Sequence, residues 1–222
     1  MLVAQNIHKQ YAEGKKDLHI LAGINLEIPP QKKIGIIGAS GAGKSTLLHI
    51  LGGLDRPTEG SVLVEKSNLY SLKERASAAL RNRYFGFVFQ FYHLLAELTA
   101  LENVALPVWI AGLSREEGLK KGMDALKRVA LDHRATHFPS QMSGGEQQRV
   151  ALARACVMAP KIILADEPTG NLDEATGKEV LQFLFEVVEK SSGSLVLVTH
   201  NAELMKNMDE VWELKDARLQ KV

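Results

Sequence analysis

Cysteine is almost absent from this chain: Cys156 is the only one in 222 residues. No intramolecular disulfide can form, no Cys/His set has the spacing of a zinc site, and a reducing compartment fits. Aromatic residues make up only 6% of the sequence, and neither sign of charge prevails, because 27 Lys and Arg face 26 Asp and Glu for a formal net charge of +1. That balance supplies no long-range field toward nucleic acid or an anionic membrane, so any such partner must be recognised locally. The pairs Lys15-Lys16 and Lys120-Lys121 fall far short of a polybasic patch. No stretch approaches the roughly 18 uninterrupted apolar residues of a spanning helix, and MLVAQNIHKQYAEGKK lacks the apolar core of about 7–15 residues that marks an export signal. What is present, 45% hydrophobic and 24% charged residues, is ordinary for a globular chain and excludes disordered or fibrous classes. The length allows one large α/β domain or a domain with a small lobe.

The chain opens with β-like segments, LVAQNIHKQY, HILAGINLEI and KKIGII, with Pro29 and Pro30 turning between the last two. Further strands are expected at Ser61–Val64, Phe85–Phe89, Lys161–Ala165 and Ser194–Thr199; the last two are the continuous apolar runs of a buried parallel sheet. Helical periodicity appears in Arg115–Ala130, through Leu119, Met123, Leu126 and Val129, and in Glu174–Lys190, through Val180, Leu181, Leu184, Phe185 and Val188. Strands alternating with helices imply an α/β fold with a mainly parallel core sheet. An N-terminal antiparallel β part precedes it, and a mostly helical lobe is expected over about 75–155. The nucleotide-binding core then comprises residues 1–74 and 156–222 of a single domain, 1–222. No internal repeat is present.

The strongest local signal is Gly38-Ala39-Ser40-Gly41-Ala42-Gly43-Lys44-Ser45-Thr46, which fits G-x-x-x-x-G-K-[ST] between a strand and a helix. Glycines let successive N–H groups converge on one anion, and the helix that follows adds the positive end of its dipole. Lys44 would reach the β- and γ-phosphates, and the Ser45 hydroxyl would reach Mg²⁺, a cation that keeps several waters and needs few protein ligands. Asp166 and Glu167 end the apolar run IILADE, where open α/β sheets bind ligands. Asp166 suits a Mg²⁺ site, and Glu167 suits orienting or deprotonating an attacking water. Met142-Ser143-Gly144-Gly145-Glu146-Gln147-Gln148-Arg149 reads as a second anion-binding helix start, running to about Met158. Gln90 and His200 stand at strand ends, where an amide can touch Mg²⁺ or water and an imidazole can reach a γ-phosphate.

At these residues the chain resembles the ATP-binding cassette ATPases over essentially its whole length. GASGAGKST resembles Walker A, IILADE Walker B and MSGGEQQR the family signature; Gln90 matches the Q-loop, Asn171-Leu172-Asp173 the D-loop and His200 the switch histidine. The resemblance implies an Mg²⁺-dependent ATPase that forms a homodimer around two ATP molecules, with Tyr11 stacked on adenine. Ser143, Gly144, Gly145 and Glu146 of one copy would then contact the γ-phosphate held by Lys44 of the other. It also implies an integral membrane permease docking near Gln90–Leu95 and a place on the cytoplasmic face of the inner membrane. Three positions depart from the family pattern: Met142 replaces leucine, Glu146 stands where glutamine is common and Asn201 where aspartate is frequent. None removes a catalytic side chain.

Within the family, LLHILGGLDRPTEG, LRNRYFGFVFQFYHLLAELTALENVALP and ADEPTGNLD resemble the subgroup serving lipoprotein release, macrolide efflux and cell-division permeases. QFYHLL, TALENVALP and LDHRATHFPSQMSGGE look most like its lipoprotein-release branch. A nucleic-acid-associated ATPase of the same superfamily is the rival of another class. It is disfavoured by the single cassette, the lack of a Cys-x-x-Cys hook and the neutral charge, so no direct nucleic-acid partner is expected. A regulatory scaffold that signals without moving cargo shares every motif. Phe91, Tyr92, Leu94 and Leu95 read either as core packing or as the permease contact, while Cys156, Trp109 and Trp212 read as packing residues.

Overall fold

The structure is a computed structural model that describes residues 1–13 and 16–222; Lys15, of the first lysine pair, lies outside the described residues. The chain groups into two compact units, Met1–Arg81 with Ser194–Val222, and Asn82–Gly193.

The first unit begins with β1 (Leu2–Glu13), β2 (Lys16–Ile28), β3 (Lys33–Ile37) and α1 (Lys44–Leu51), followed by β4 (Glu59–Val64) and β5 (Ser67–Asn68). Helix α2 (Glu74–Tyr84) carries the chain into the second unit. Strands β1, β2, β4 and β5 form an antiparallel sheet in the order β2-β1-β4-β5. Leu2, Ala4, Ile7, Leu21, Ile24, Leu26 and Ile28 lie in the core at 2% exposure or less; the alternation of a one-faced antiparallel sheet is shifted at the irregularities between Ala4 and Ile7 and between Leu21 and Ile24, where the spacing is three.

The second unit contains β6 (Phe85–Val88), α3 (Ala100–Ile110), α4 (Arg115–Arg128), α5 (Gly144–Cys156), β7 (Ile162–Asp166) and α6 (Glu174–Ser191). The chain then returns to the first unit as β8 (Ser194–Val198), β9 (Glu210–Lys215) and β10 (Arg218–Lys221). Strand β3 pairs in parallel with both β8 and β9, and β6 pairs in parallel with β7. Every residue of β7 and β8 is buried, as their continuous apolar runs require.

Two details depart from the periodic reading. In α4 the fully covered stripe is Gly118, Gly122, Ala125 and Leu126, with Leu119 and Met123 only half-buried. Small residues are required there because a Cβ at Gly118 would collide with the Trp109 indole and one at Gly122 would press on Leu101. The β9–β10 hairpin has no counterpart in the sequence reading. Its two turn residues, Asp216 and Ala217, have φ of 50° and 60°, the backbone of a tight hairpin turn without the glycine that normally announces one.

Helices α3, α4 and α5 each start with a complete capping box, Thr99/Glu102, Ser114/Glu117 and Ser143/Glu146, and Asp173 caps α6 through the Thr176 N–H. Each box satisfies donors that the helix itself leaves unpaired.

Candidate functional site

In the first unit, β3 delivers the chain into the 38–46 loop and α1 leads out of it. Gly43, at the N-cap of α1, has φ of 100°, and a Cβ there would lie 2.6 Å from Ile20 Cγ2. Only glycine holds that conformation without strain. No side chain caps α1 and no acidic residue lies in its first turn, so the donors at this helix start point at the loop with the dipole behind them. Lys44 is 6% exposed, and its Nζ donates to the carbonyl oxygens of Gly38 and Ala39 at 2.9 Å each. Gly41 has φ of 75° with open space where a Cβ would stand. Glycine backbone, an uncapped helix start and one ammonium fit a polyphosphate. Ser40 and Ser45 are exposed, with Ala39, Ala42 and Thr46 completing the loop.

Tyr11 stands beside this loop on β1. Its hydroxyl donates to Asp55 Oδ2 at 2.7 Å, and Lys9 Nζ donates to Asp55 Oδ1 at 2.7 Å and to the Arg56 carbonyl at 2.7 Å. Lys9 Nζ also lies 4.7 Å from the centre of the Tyr11 ring, a cation–π distance. The ring remains 43% exposed, so it presents a held, accessible aromatic surface. Burial, followed by the bond to Asp55, raises the Tyr11 phenol above its usual range. Burial works against the Asp55 carboxylate, but the hydrogen bonds from Lys9 and Tyr11 and the Lys9 charge outweigh it and hold Asp55 below the usual range. Sequence reading did not single out Lys9 or Asp55; nothing local links positions so far apart. His200 follows β8. Because Ile36 is in register with Val198, His200 and Gly38 stand at matching positions past the carboxyl ends of adjacent parallel strands.

In the second unit the same logic places Gln90 opposite Glu167, since Val88 is in register with Ala165. Asp166 is 9% exposed at the end of β7. Glu167 has φ of 42°, a left-handed backbone that a non-glycine residue adopts at some cost and that recurs at functional sites. Gln90 Nε2 donates to Asn171 Oδ1 at 3.2 Å, and Asn171 Nδ2 donates to the Gln90 carbonyl at 3.0 Å. Gln148 is fully buried, and its Nε2 donates to the carbonyls of Phe89 at 3.1 Å and Pro168 at 2.7 Å. One amide from α5 therefore ties together the strand ends that carry Gln90 and Glu167. Arg154, also on α5, donates to the Tyr92 carbonyl at 2.8 Å and the His93 carbonyl at 2.5 Å, fixing the segment after Gln90.

At the start of α5, Ser143 is exposed and its Oγ accepts from the Glu146 N–H at 3.3 Å. The N–H of Ser143 donates to Glu146 Oε2 at 2.8 Å, and Arg134 Nε donates to Oε1 at 2.9 Å. The backbone bond to Ser143, opposed by burial and aided by the Ser143 hydroxyl and then by Arg134, holds the Glu146 carboxyl below the usual carboxylate range. Gly144 and Gly145 are pressed against Tyr92 and Thr176, where a Cβ would clash. The Asp173 carboxylate is engaged as the α6 cap, Oδ1 accepting from the Thr176 N–H at 3.1 Å.

Core packing does not account for the cluster after Gln90. Phe91 is 67% and Leu95 45% exposed, while Tyr92 and Leu94 are half-buried. Asn103, fully buried, fixes Leu95 by accepting from its N–H at 2.8 Å and donating to its carbonyl at 3.0 Å. Cys156 is a free thiol that burial pushes up to about 12, which makes it a poor nucleophile. Among the described residues no cluster of three or more His, Cys, Asp or Glu side chains is arranged to hold a metal. The oxygen donors that Mg²⁺ takes are present in each unit taken by itself: the Ser45 hydroxyl in the first, the Asp166 carboxylate and the Gln90 amide in the second. No helix among the described residues is long and apolar enough to cross a membrane.

Comparison with known proteins bears on the same residues. The chain is 49% identical over 219 residues to the lipoprotein-releasing system ATP-binding protein LolD of Geobacter metallireducens, covering 99% of this chain and 97% of that one. It is 46% identical to the protein of the same name from Hahella chejuensis over 222 residues, 100% and 96% of the two chains. A solved dimeric, post-hydrolysis state of an ATP-binding cassette bound to ADP and Pi superposes with a TM-score of 0.91 at 39% identity, covering 100% of this chain and 98% of that one. Residues 21–170, which include the glycine loop, Gln90, the Ser143 turn and the Asp166-Glu167 pair, match the family described as ABC transporter; the chain belongs to that family.

Proposed function

We propose that this chain is the ATP-hydrolysing subunit of a lipoprotein-releasing permease complex, acting as a homodimer closed around ATP. The observation that carries the ATPase reading is the uncapped start of α1 behind the 38–46 loop, with Lys44 held on the loop carbonyls. The lipoprotein-release assignment is supported by the full-length relatives of that name.

The roles are assigned unit by unit. In the first, the 38–46 backbone and Lys44 bind the β- and γ-phosphates, Tyr11 stacks on adenine and His200 reaches the γ-phosphate. In the second, Glu167 orients the attacking water and takes its proton, with Gln90 helping to place that water. Ser45, Asp166 and Gln90 would hold Mg²⁺, whose contribution is to neutralise phosphate charge. The Ser143–Glu146 turn and Asp173 meet the nucleotide held by the second copy. Phe91 and Leu95 present apolar surface to a helix of the permease on the cytoplasmic side of the inner membrane. Closure on ATP draws the permease helices together, and hydrolysis releases them, because ATP favours the closed state by its differential affinity.

The test is Glu167→Gln, purified with ATP and Mg²⁺ from solubilised membranes. ATP binding persists, turnover falls to near zero and a trapped dimer brings down a permease pair with lipoprotein. Wild-type turnover would remove Glu167 from the mechanism. An efflux or division permease would change the pathway, and recovery of nucleic-acid factors alone would overturn the transporter reading.

A further inference from the structure

The start of α5 carries a carboxylate in its first turn, and a cation accompanies it. Both Glu146 oxygens are engaged: Oε1 by Arg134 Nε at 2.9 Å and Oε2 by the Ser143 N–H at 2.8 Å. Arg134 ends the short 3-10 turn Asp132–Arg134. Its Nη1 lies 3.1 Å from His137 Nε2; a guanidinium only donates, so the imidazole accepts there and holds the fork in place. The ion pair is partly screened from solvent, with side-chain exposures of 36% for Arg134 and 14% for Glu146. Its charges therefore act on each other more strongly than in open water.

A carboxylate in the first turn of a helix lies within about one turn, roughly 5 Å, of any phosphate bound at that helix start. Uncompensated, it would repel that phosphate and cancel the favourable field of the helix N-terminus. We infer that Arg134 is a positioning residue for the ATPase: it neutralises and orients the Glu146 carboxylate so that the Ser143–Glu146 turn accepts the γ-phosphate held by a second copy of the chain. The inference rests on the proposed contact between that turn and the partner copy's nucleotide. It goes further in assigning an electrostatic task to a residue outside every motif.

The experiment compares the wild-type chain with Arg134→Gln, Arg134→Lys, Glu146→Gln and the double variant Arg134→Gln/Glu146→Gln, reading ATP hydrolysis against ATP concentration at low and high salt. Arg134→Gln should raise KM for ATP by roughly threefold to tenfold, the range expected for one like charge a few ångströms from the phosphate. The deficit should shrink at high salt. Arg134→Lys should recover most of the loss, and the double variant should return to the level of Glu146→Gln alone. A double variant as impaired as Arg134→Gln, or an Arg134→Gln chain that matches wild type, overturns the inference. Ser143→Glu in the Glu167→Gln background separates this from failure of the underlying reading. Absence of its ATP-driven dimer in light scattering upholds the contact between copies, whereas a dimer formed at the usual ATP concentration removes that contact and the inference together.

Discussion

Two glycine-rich helix starts, Gly43–Lys44 in the first unit and Ser143–Gly144 in the second, look alike in sequence but differ in what satisfies their first-turn donors. At α1 the N-cap is a glycine with φ of 100° and there is neither a side-chain cap nor an acid in the first turn. At α5 the Ser143/Glu146 box is complete and Arg134 is tied into it. The first start is electrostatically unfinished and calls for an anion. The second is self-sufficient as a helix, its first-turn carboxylate already paired with Arg134. The two starts are therefore distinguished by capping rather than by glycine content.

The largest expected effect breaks the first start. Lys44→Ala removes charge-assisted bonds worth about 1.5–3 kcal/mol each, so ATP affinity should fall by roughly a hundredfold or more, as read by calorimetry. Gly43→Val should do the same by forcing a branched side chain into left-handed backbone against Ile20, with circular dichroism showing that the fold persists.

A smaller effect sharpens the contrast between α5 and its neighbours. Ser143→Ala and Ser114→Ala each lose a cap worth about 1 kcal/mol, visible in denaturant melts. Only Ser143→Ala should also weaken ATP-driven dimerisation; equal dimerisation in both variants would return Ser143 to a purely structural role.

The smallest effect is a pH dependence. Backbone hydrogen bonds from Thr99, Ser114 and Ser143 lead the causes that hold Glu102, Glu117 and Glu146 below the usual carboxylate range. Because the folded-state values are depressed, the stabilisation is full above the unfolded value of about 4.3 and is lost as pH falls through the lower folded values. Thermal melts taken from pH 6 downward should show stability declining below about pH 4.3, with a shallower decline in Glu146→Gln. The α1 start has no first-turn acid, so Glu146→Gln should change the slope without changing ATP binding at the 38–46 loop.

Much of this was legible in sequence because it is local. A phosphate loop is built from consecutive backbone groups, so KIGII, the glycines and Lys44 announce it without tertiary information. The buried parallel strands β7 and β8 announce themselves as unbroken apolar runs. The illegible parts depend on residues meeting across sequence. Arg134 reaches Glu146 over 12 positions, and Gln148 reaches Phe89 over 59; no period or spacing encodes either. Leu126 and Val129 of the α4 stripe were legible and are buried; its Gly118 and Gly122 part escaped because glycine does not register as apolar, although those two are what the Trp109 and Leu101 side chains demand.

The sequence by itself determined the α/β class, the phosphate loop, the acidic strand end and the family, because each is written in contiguous residues whose chemistry does not depend on the rest of the chain. Only the tertiary structure decided which functional side chains are held and by what: Tyr11 by Asp55 and Lys9, the strand ends of Gln90 and Glu167 by Gln148, and Glu146 by Arg134. Those hydrogen bonds join residues far apart in the chain, and their partners are chosen by packing, which a linear pattern does not record.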